Sequence, residues 1–241
     1  MNGLLKIQNV SKTFGGFTAL SGVSLEIAQG ERFGLIGPNG SGKTTLINCV
    51  SGTLRNEAGS IEFDGEDVTR LPAYQRTRRG IARSFQIPRP FHSMTVAENL
   101  AVPLEYVVHK GSLHMADTRA EALELLRQMK LAEKADTPSR NLSQVELRKL
   151  ELARAMAARP RLLISDEAMA GLSGSEVEEV LEILFELNRR GITIIMIEHI
   201  MQAVMRFSQR VVCLDAGRII CEGAPADIVQ NPEVQRAYLG A

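Results

Sequence analysis

The sequence has no excess of charge of either sign: over 241 residues, 28 Lys plus Arg balance 28 Asp plus Glu. That balance argues against a nucleic-acid partner, which would need a basic face. Bilayer-length apolar runs are missing too, since the longest, such as Ile192–Ile197, fall far short of a membrane span. The first ten residues alternate like a strand and lack the apolar core of a signal peptide. Only three cysteines occur, Cys49, Cys213 and Cys221, in apolar settings and without metal-ligand spacing. They read as reduced, buried thiols of a cytosolic chain rather than a disulfide frame or a zinc site. No low-complexity tract, heptad run or internal repeat stands out. The length suffices for a sizeable core, as one large domain or a domain with a subdomain.

What is present is a change of periodicity along the chain. Residues 4–14 and 19–27 alternate as antiparallel strands about a "FGG" turn. "ERFGLIG" is a short apolar strand running into a Gly-rich loop and a helical stretch from Lys43; "GSIEFDGEDV" is a further strand and turn. From about residue 93 to 158, apolar residues recur at three-to-four spacing, which predicts helices. Strand signals return in "RLLISDE", "TIIMIEH" and "RVVCLDAGRIICEG", with the helix "SEVEEVLEILFELNRR" between the first two. Two short helices, divided at Asn231–Pro232, follow. The expected fold is α/β, with a largely parallel sheet and a helical insertion.

"GPNGSGKT", Gly37 to Thr44, fits the phosphate-loop pattern, and a strand precedes it and a helix follows it, as the mechanism requires. Gly37, Gly40 and Gly42 let backbone N–H groups wrap around phosphate oxygens where a Cβ would obstruct the turn. Pro38, Asn39, Ser41 and Thr45 complete the nucleotide-binding stretch. Lys43 supplies a point charge to the β- and γ-phosphates, and the Thr44 hydroxyl can ligate Mg²⁺. The helix that starts there adds the positive end of its dipole. A nucleoside triphosphate is therefore the expected ligand. "RLLISDE" ends a strand in Asp166-Glu167. Alone, such a pair is often a solvated turn; behind a phosphate loop, Asp166 is the expected Mg²⁺ residue and Glu167 the group that orients or deprotonates water. His199 ends the following strand, level with Glu167, and is read as catalytic, although a lone His there is commonly structural. Gln86, after a strand-like segment, could reach Mg²⁺ or water; without further context it would be only a loop glutamine.

Taken together, the phosphate loop, Gln86, "LSQVE", "LLISDE" and His199 resemble the ATP-binding subunit of an ABC transporter, over essentially the whole chain. "VSKTFGGFTALSGVSLEI", "IARSFQIPRPFHSMTVAENL" and "NPEVQRAYLG" are similar to the ATPases of branched-chain or hydrophobic amino-acid importers. The resemblance implies one domain over 1–241, a phosphate-loop NTPase core of ABC type. Residues 1–86 would form the antiparallel β-subdomain and the phosphate-loop part of the core. Residues 87–158 would form the inserted helical subdomain, and 159–241 the rest of the core and the C-terminal helices. It implies that Phe14 stacks on adenine, and that ATP and Mg²⁺ are bound and ATP hydrolysed. It further implies integral-membrane permease subunits, a second ATPase subunit bound head to tail, and a solute-binding protein acting indirectly. The location would be the cytoplasmic face of the cell inner membrane, with docking expected at Arg89–Leu100.

Three segments depart from that family, at five residues. Its usual signature L-S-G-G-Q is here Leu142-Ser143-Gln144-Val145-Glu146. Ser143 and a helix N-terminus are kept, but Val145 adds a branched side chain and Glu146 a negative charge near the partner's phosphates. The S-x-x-E spacing offers Glu146 a reciprocal cap on Ser143, pointing it away from phosphate. Ala168 and Ser173 stand where the family usually has Pro and Asp or Asn. These changes cluster on elements that would face the other subunit, so two sites of unequal strength are one expectation and two working sites the other. A DNA-associated ATPase is disfavoured because the interval from Gln86 to Leu142 is too short for coiled-coil arms. A nucleotide-switched regulator without hydrolysis stays open.

Overall fold

The computed structural model describes residues 3–109 and 115–239. Strands β1 (Gly3–Phe14) and β2 (Phe17–Ala28) form the expected hairpin, closed by Gly15 and Gly16. Strand β3 (Arg32–Ile36) leads through the phosphate loop into helix α1 (Lys43–Ser51). Strand β4 (Ala58–Phe63) returns to pair with β1, and the two-residue β5 (Glu66–Asp67) pairs with β4. The first sheet is thus antiparallel, in the order β2-β1-β4-β5.

A short helix that the periodicity does not reveal follows, α2 (Ala73–Arg78). Its anchor is Arg76, 1% exposed, whose guanidinium donates to the carbonyls of Cys49 and Val50 in the last turn of α1 and to those of Leu71 and Thr69. Last-turn carbonyls lack the regular i+4 donors, and the Cys49 one otherwise takes the Gly52 N–H at 3.3 Å, so a buried Arg there ties the two helices together.

Strand β6 (Ile81–Ser84) precedes the helical stretch: α3 (Val96–Pro103), α4 (Met115–Gln128) and α5 (Gln144–Met156). Residues 95–108 read as one helix in sequence. In the structure Pro103 ends α3, and Leu104–His109 continue as a π-helical turn. Proline has no N–H to donate and its ring crowds the preceding turn, so the hydrogen-bond register slips there. Then come β7 (Leu162–Asp166), α6 (Gly174–Arg189), β8 (Thr193–Ile197), α7 (Met201–Phe207), β9 (Arg210–Asp215), β10 (Arg218–Gly223), α8 (Pro225–Gln230) and α9 (Pro232–Leu239).

The second sheet has the order β10-β9-β3-β8-β7-β6, with only β10 antiparallel. Its central strands are buried on both faces, which explains their unbroken apolar runs. Ile195, Ile197, Ile164 and Val212 face a core shared with β1, β2 and α1. Ile194, Met196, Leu163 and Val211 face the other core, which extends through α3 to α8. The cysteines are free; Cys49 and Cys213 are buried, but Cys221 on the edge strand β10 is only half-buried. The strand order brings the C-terminal ends of β3, β7 and β8, and the residues just beyond them, to one side of the sheet.

Candidate functional site

Gly37 to Gly42 turn from β3 into α1. The start of this helix differs from those of the side-chain-capped helices. Helices α3 and α5 each begin with a reciprocal cap, Thr95 with Glu98 and Ser143 with Glu146. Helix α1 has Gly42 at its cap position in the left-handed conformation, no side-chain cap and no acidic residue in its first turn. Its first N–H groups are therefore left for an external anion. The Lys43 ammonium donates to the carbonyls of Gly37 at 2.6 Å and Pro38 at 3.0 Å. Burial lowers its pKa, opposed chiefly by the nearby Glu167 carboxylate. Ser41 Oγ is buried inside the loop without a partner.

A pocket of about 250 Å³ opens over this loop, lined by Asn39 to Thr45, Glu167 and His199, with Phe14, Phe17 and Ala19 at one end. Phe14 is 49% exposed, with the Lys12 ammonium 5.3 Å from its ring centre. Sequence reasoning picks Phe14 but misses Phe17. The two are directly cross-strand at the β1–β2 turn, a register that only the closed hairpin reveals.

Asp166 ends β7 and Glu167 follows in the left-handed region, at φ +49°. That conformation costs a non-Gly residue about 1–2 kcal/mol. It is held by the Glu167 N–H donating to the Ile197 carbonyl at 2.8 Å. The turn aims the Glu167 carboxylate between two elements. Gln86 Nε2 donates to Glu167 Oε2 at 2.6 Å, and His199 Nε2 lies 3.0 Å from Glu167 Oε1. Gln86, Glu167 and His199 are thus brought together although 81 and 32 residues separate Glu167 from the other two.

Three charged neighbours escape a sequence reading. Arg83 on β6 ion-pairs with Asp166 at 2.5 Å and donates to Asn48 Oδ1 on α1 at 2.6 Å, tying the acidic strand end to the helix behind the loop. Arg148 on α5 is 7% exposed and donates to the backbone carbonyls of Gln86 and Ala170. It therefore joins the helix that Ser143 starts to the Gln86 segment and to the turn after Glu167. Glu198, 3% exposed, accepts the Met169 N–H at 2.8 Å. None lies in a motif; each is identified only by what it touches.

Burial pushes the Glu198 pKa from its ordinary 4.5 up to about 7, with the Glu167 charge adding to the rise and the Met169 N–H and Arg148 opposing it. A carboxyl whose folded pKa exceeds its unfolded one binds more protons when folded, so its contribution weakens stability as pH rises from about 4.5 to 7. The loss is on the order of 3 kcal/mol. Glu198→Gln can still accept the Met169 N–H and cannot ionise. Urea unfolding at pH 5 and pH 8 should show the variant gaining stability over the parent at pH 8 and not at pH 5; an equal difference at both would contradict this assignment.

The residues Ser143 to Glu146 do not line the pocket over the phosphate loop. Glu146 is folded back as the spacing suggests: the Ser143 N–H donates to Glu146 Oε2 at 2.8 Å, and Lys134 sits 3.4 Å from its other oxygen. The Ser143 N–H holds its carboxylate below the usual range. Val145 is half-buried and packs on the helical core. Ser173 spends its hydroxyl on Glu176 at the start of α6, at 2.7 Å, and Ala168 is buried.

The family model described as ABC transporter matches residues 20–170, and that of the branched-chain amino acid ATP-binding cassette transporter matches 218–241. The chain belongs to the ABC transporter ATP-binding family. It is an ATP-hydrolysing subunit coupled to transport. A high-affinity branched-chain amino acid transport ATP-binding protein of Salmonella typhimurium is 39% identical, with 98% of each chain covered. A probable branched-chain amino acid transport ATP-binding protein of Archaeoglobus fulgidus is also 39% identical, over 99% of this chain and 96% of its own. Among solved structures, a nucleotide-free ATP-binding cassette from an ABC transporter superposes with a TM-score of 0.90 at 30% identity, covering both chains in full. A dimeric cassette bound to ADP and phosphate after hydrolysis gives 0.83 at 26% identity, over 92% of this chain and 98% of that one.

As an ABC ATPase the chain has a consistent donor set for a hard cation. Thr44 offers a hydroxyl, Asp166 a carboxylate and Gln86 an amide oxygen, all oxygen ligands of the kind Mg²⁺ takes. Among the described residues no group of three His, Cys, Asp or Glu could hold a metal alone. No helix among the described residues is long and apolar enough to cross a membrane.

Proposed function

We propose that this ABC ATPase powers an importer of branched-chain or other hydrophobic amino acids. The observation that carries the site assignment is the convergence of Gln86 and His199 on Glu167 beside an uncapped phosphate-binding helix. In this reading Gly37 to Thr45 hold the triphosphate, Lys43 neutralises its outer phosphates and the Phe14 face takes the adenine. Thr44, Asp166 and Gln86 hold Mg²⁺, which when bound screens the charge of the β- and γ-phosphates. Glu167 accepts the proton of the attacking water, and His199 fixes the carboxylate and faces the γ-phosphate. Ser143 to Glu146 act on nucleotide held by a second ATPase subunit, bound head to tail, identical or different. Because Glu146 is tied to Ser143 and Lys134, its charge is turned away from that nucleotide.

The partners proposed are integral-membrane permease subunits at the cytoplasmic face of the inner membrane, with a solute-binding protein acting through them. A groove of about 390 Å³, lined by Phe85, Val102, Pro103, Tyr106, Val107 and Arg154 among others, supports docking next to the Gln86 segment. Tyr106 in the groove and Ile87, next to Gln86 in sequence, are 69% and 71% exposed. Of the expected stretch Arg89 to Leu100, Arg89, Phe91, His92, Ser93 and Glu98 are exposed and stay part of the proposed surface, whereas Val96, Ala97, Asn99 and Leu100 are buried in the core and do not. The Arg89 and Phe91 backbones are already engaged by Arg154 and Asn99, so side chains there are what a partner would meet. Division of the chain into 1–86, 87–158 and 159–241 belongs to the same proposal. The test is reconstitution of the chain with its co-purifying permease and ATPase partners in liposomes. Stimulation of ATPase activity by binding protein loaded with leucine, isoleucine or valine supports the assignment; stimulation only by an unrelated solute overturns the substrate class.

A further inference from the structure

Helix α9 reaches back to the start of the phosphate loop. The hydroxyl of Tyr238 accepts the backbone N–H of Gly37 at 2.8 Å, across 201 residues of sequence. Gly37 is the first residue of the phosphate loop and is buried. It is gripped on its other side as well, because its carbonyl takes the Lys43 ammonium at 2.6 Å. One residue therefore connects the C-terminal helix to the lysine that meets the phosphates.

The helix is built to deliver that hydroxyl. Asn231 Oδ1 accepts the N–H groups of Glu233 and Val234 at 2.8 and 3.3 Å, starting α9, and Asn231 Nδ2 lies 3.1 Å from Cys221 Sγ on β10. Val234 is 5% exposed and packs in the core. Tyr238 stands four residues later, on the same helical face and one turn nearer the loop. Its residue is 43% exposed overall, so packing of the ring alone does not explain its placement. A buried N–H with no acceptor is costly, and the Tyr238 hydroxyl is the partner the structure gives this one.

We infer that Tyr238 is a positioning residue of the ATP site: through Gly37 it fixes the carbonyls that hold Lys43, making the C-terminal helix a working part of the phosphate loop. This goes beyond the transporter assignment and rests on its ATPase reading. The consequence is a change in nucleotide affinity rather than in the chemical step, because Tyr238 does not line the pocket that contains Glu167 and His199.

The test is Tyr238→Phe in the full chain, which keeps the ring and removes only the hydroxyl, beside Tyr238→Ala. ATP and ADP dissociation constants are measured by calorimetry on the purified chain. KM and kcat are measured in the assembled transporter, and hydrogen exchange of the Gly37 amide in nucleotide-free protein. Expected for Tyr238→Phe is about tenfold weaker binding of both nucleotides, equal to about 1.4 kcal/mol. KM for ATP should rise by a similar factor with kcat within about twofold, and the Gly37 amide should exchange faster. A parent-like dissociation constant with only Tyr238→Ala affected would reduce Tyr238 to packing and overturn the inference. A fall in kcat at unchanged KM would overturn it as well. Binding by the parent is the control: its absence would refute the ATPase reading itself, whereas a silent Phe variant refutes only the role of Tyr238.

Discussion

Glu167→Gln should lower the turnover of ATP by about 10²- to 10⁴-fold, the range that a positioned general base contributes. The substitution is nearly isosteric, so the left-handed turn at Glu167 and its N–H bond to Ile197 are kept. What is lost is the basic oxygen held between Gln86 and His199. An amide cannot accept a proton from water, and one of its two ends is now a donor facing neighbours that were chosen for a carboxylate. Nucleotide binding should survive, because Lys43, Thr44 and the free N–H groups of α1 are untouched. Removing a negative charge from beside the γ-phosphate position also relieves repulsion. The variant should therefore accumulate with ATP bound and, with its proper partner, as a dimer. Rapid-quench single-turnover hydrolysis combined with gel filtration in ATP measures both halves. Parental turnover in the variant would mean that the base lies elsewhere.

The legible part of this site is the part whose chemistry demands a residue pattern. A phosphate loop needs glycines and a lysine at fixed offsets, so Gly37 to Thr44 could be read directly, and the strand end at Asp166-Glu167 followed from it. The S-x-x-E cap at Ser143 was readable for the same reason, since both hydrogen bonds lie within four residues. The paired strands, the helical stretch and the two-faced parallel sheet follow from periodicity. What stayed hidden is what depends on distant parts of the chain. Arg83 looks like an ordinary strand residue until β6 lies beside β7 and places it on Asp166. Arg76 turns a stretch without apolar period into α2 by capping a different helix. Glu198 carries no sequence signal of its own; it is known only once folding buries it and sets it under the Met169 N–H. The π-helical turn after Pro103 is a local matter that the apolar spacing conceals, because the spacing hardly changes when the hydrogen-bond register slips. Tyr238 is the extreme case: its partner is a backbone amide, which carries no sequence signal at all.

The loop glycines are not equivalent, and their difference gives the second large effect. Gly37→Ala should abolish detectable ATP binding, weakening it more than about 100-fold, and should destabilise the nucleotide-free chain by several kcal/mol, on the scale of overpacking combined with backbone strain. A Cβ on Gly37 would stand 2.1 Å from the Leu214 carbonyl oxygen and 2.6 Å from Ser41 Oγ, at φ +149°. The first obstacle is backbone of β9, hydrogen-bonded in the sheet beside β3, and cannot swing aside as a side-chain tip would. The loop must move instead, and with it go the Gly37 carbonyl under Lys43 and the amide under Tyr238. Gly40 is the internal comparison. It too has a positive φ, +81°, but a Cβ there would meet nothing within 4 Å. Gly40→Ala should therefore lower nucleotide-free stability by only about 1–2 kcal/mol, the cost of a left-handed non-glycine residue. Chemical denaturation of the two variants separates steric exclusion from backbone preference, and nucleotide titration reads the effect on the site. If both lose the same stability, the close approach of the loop to Leu214 is not what fixes Gly37, and the path from α9 to Lys43 loses its rigid middle link.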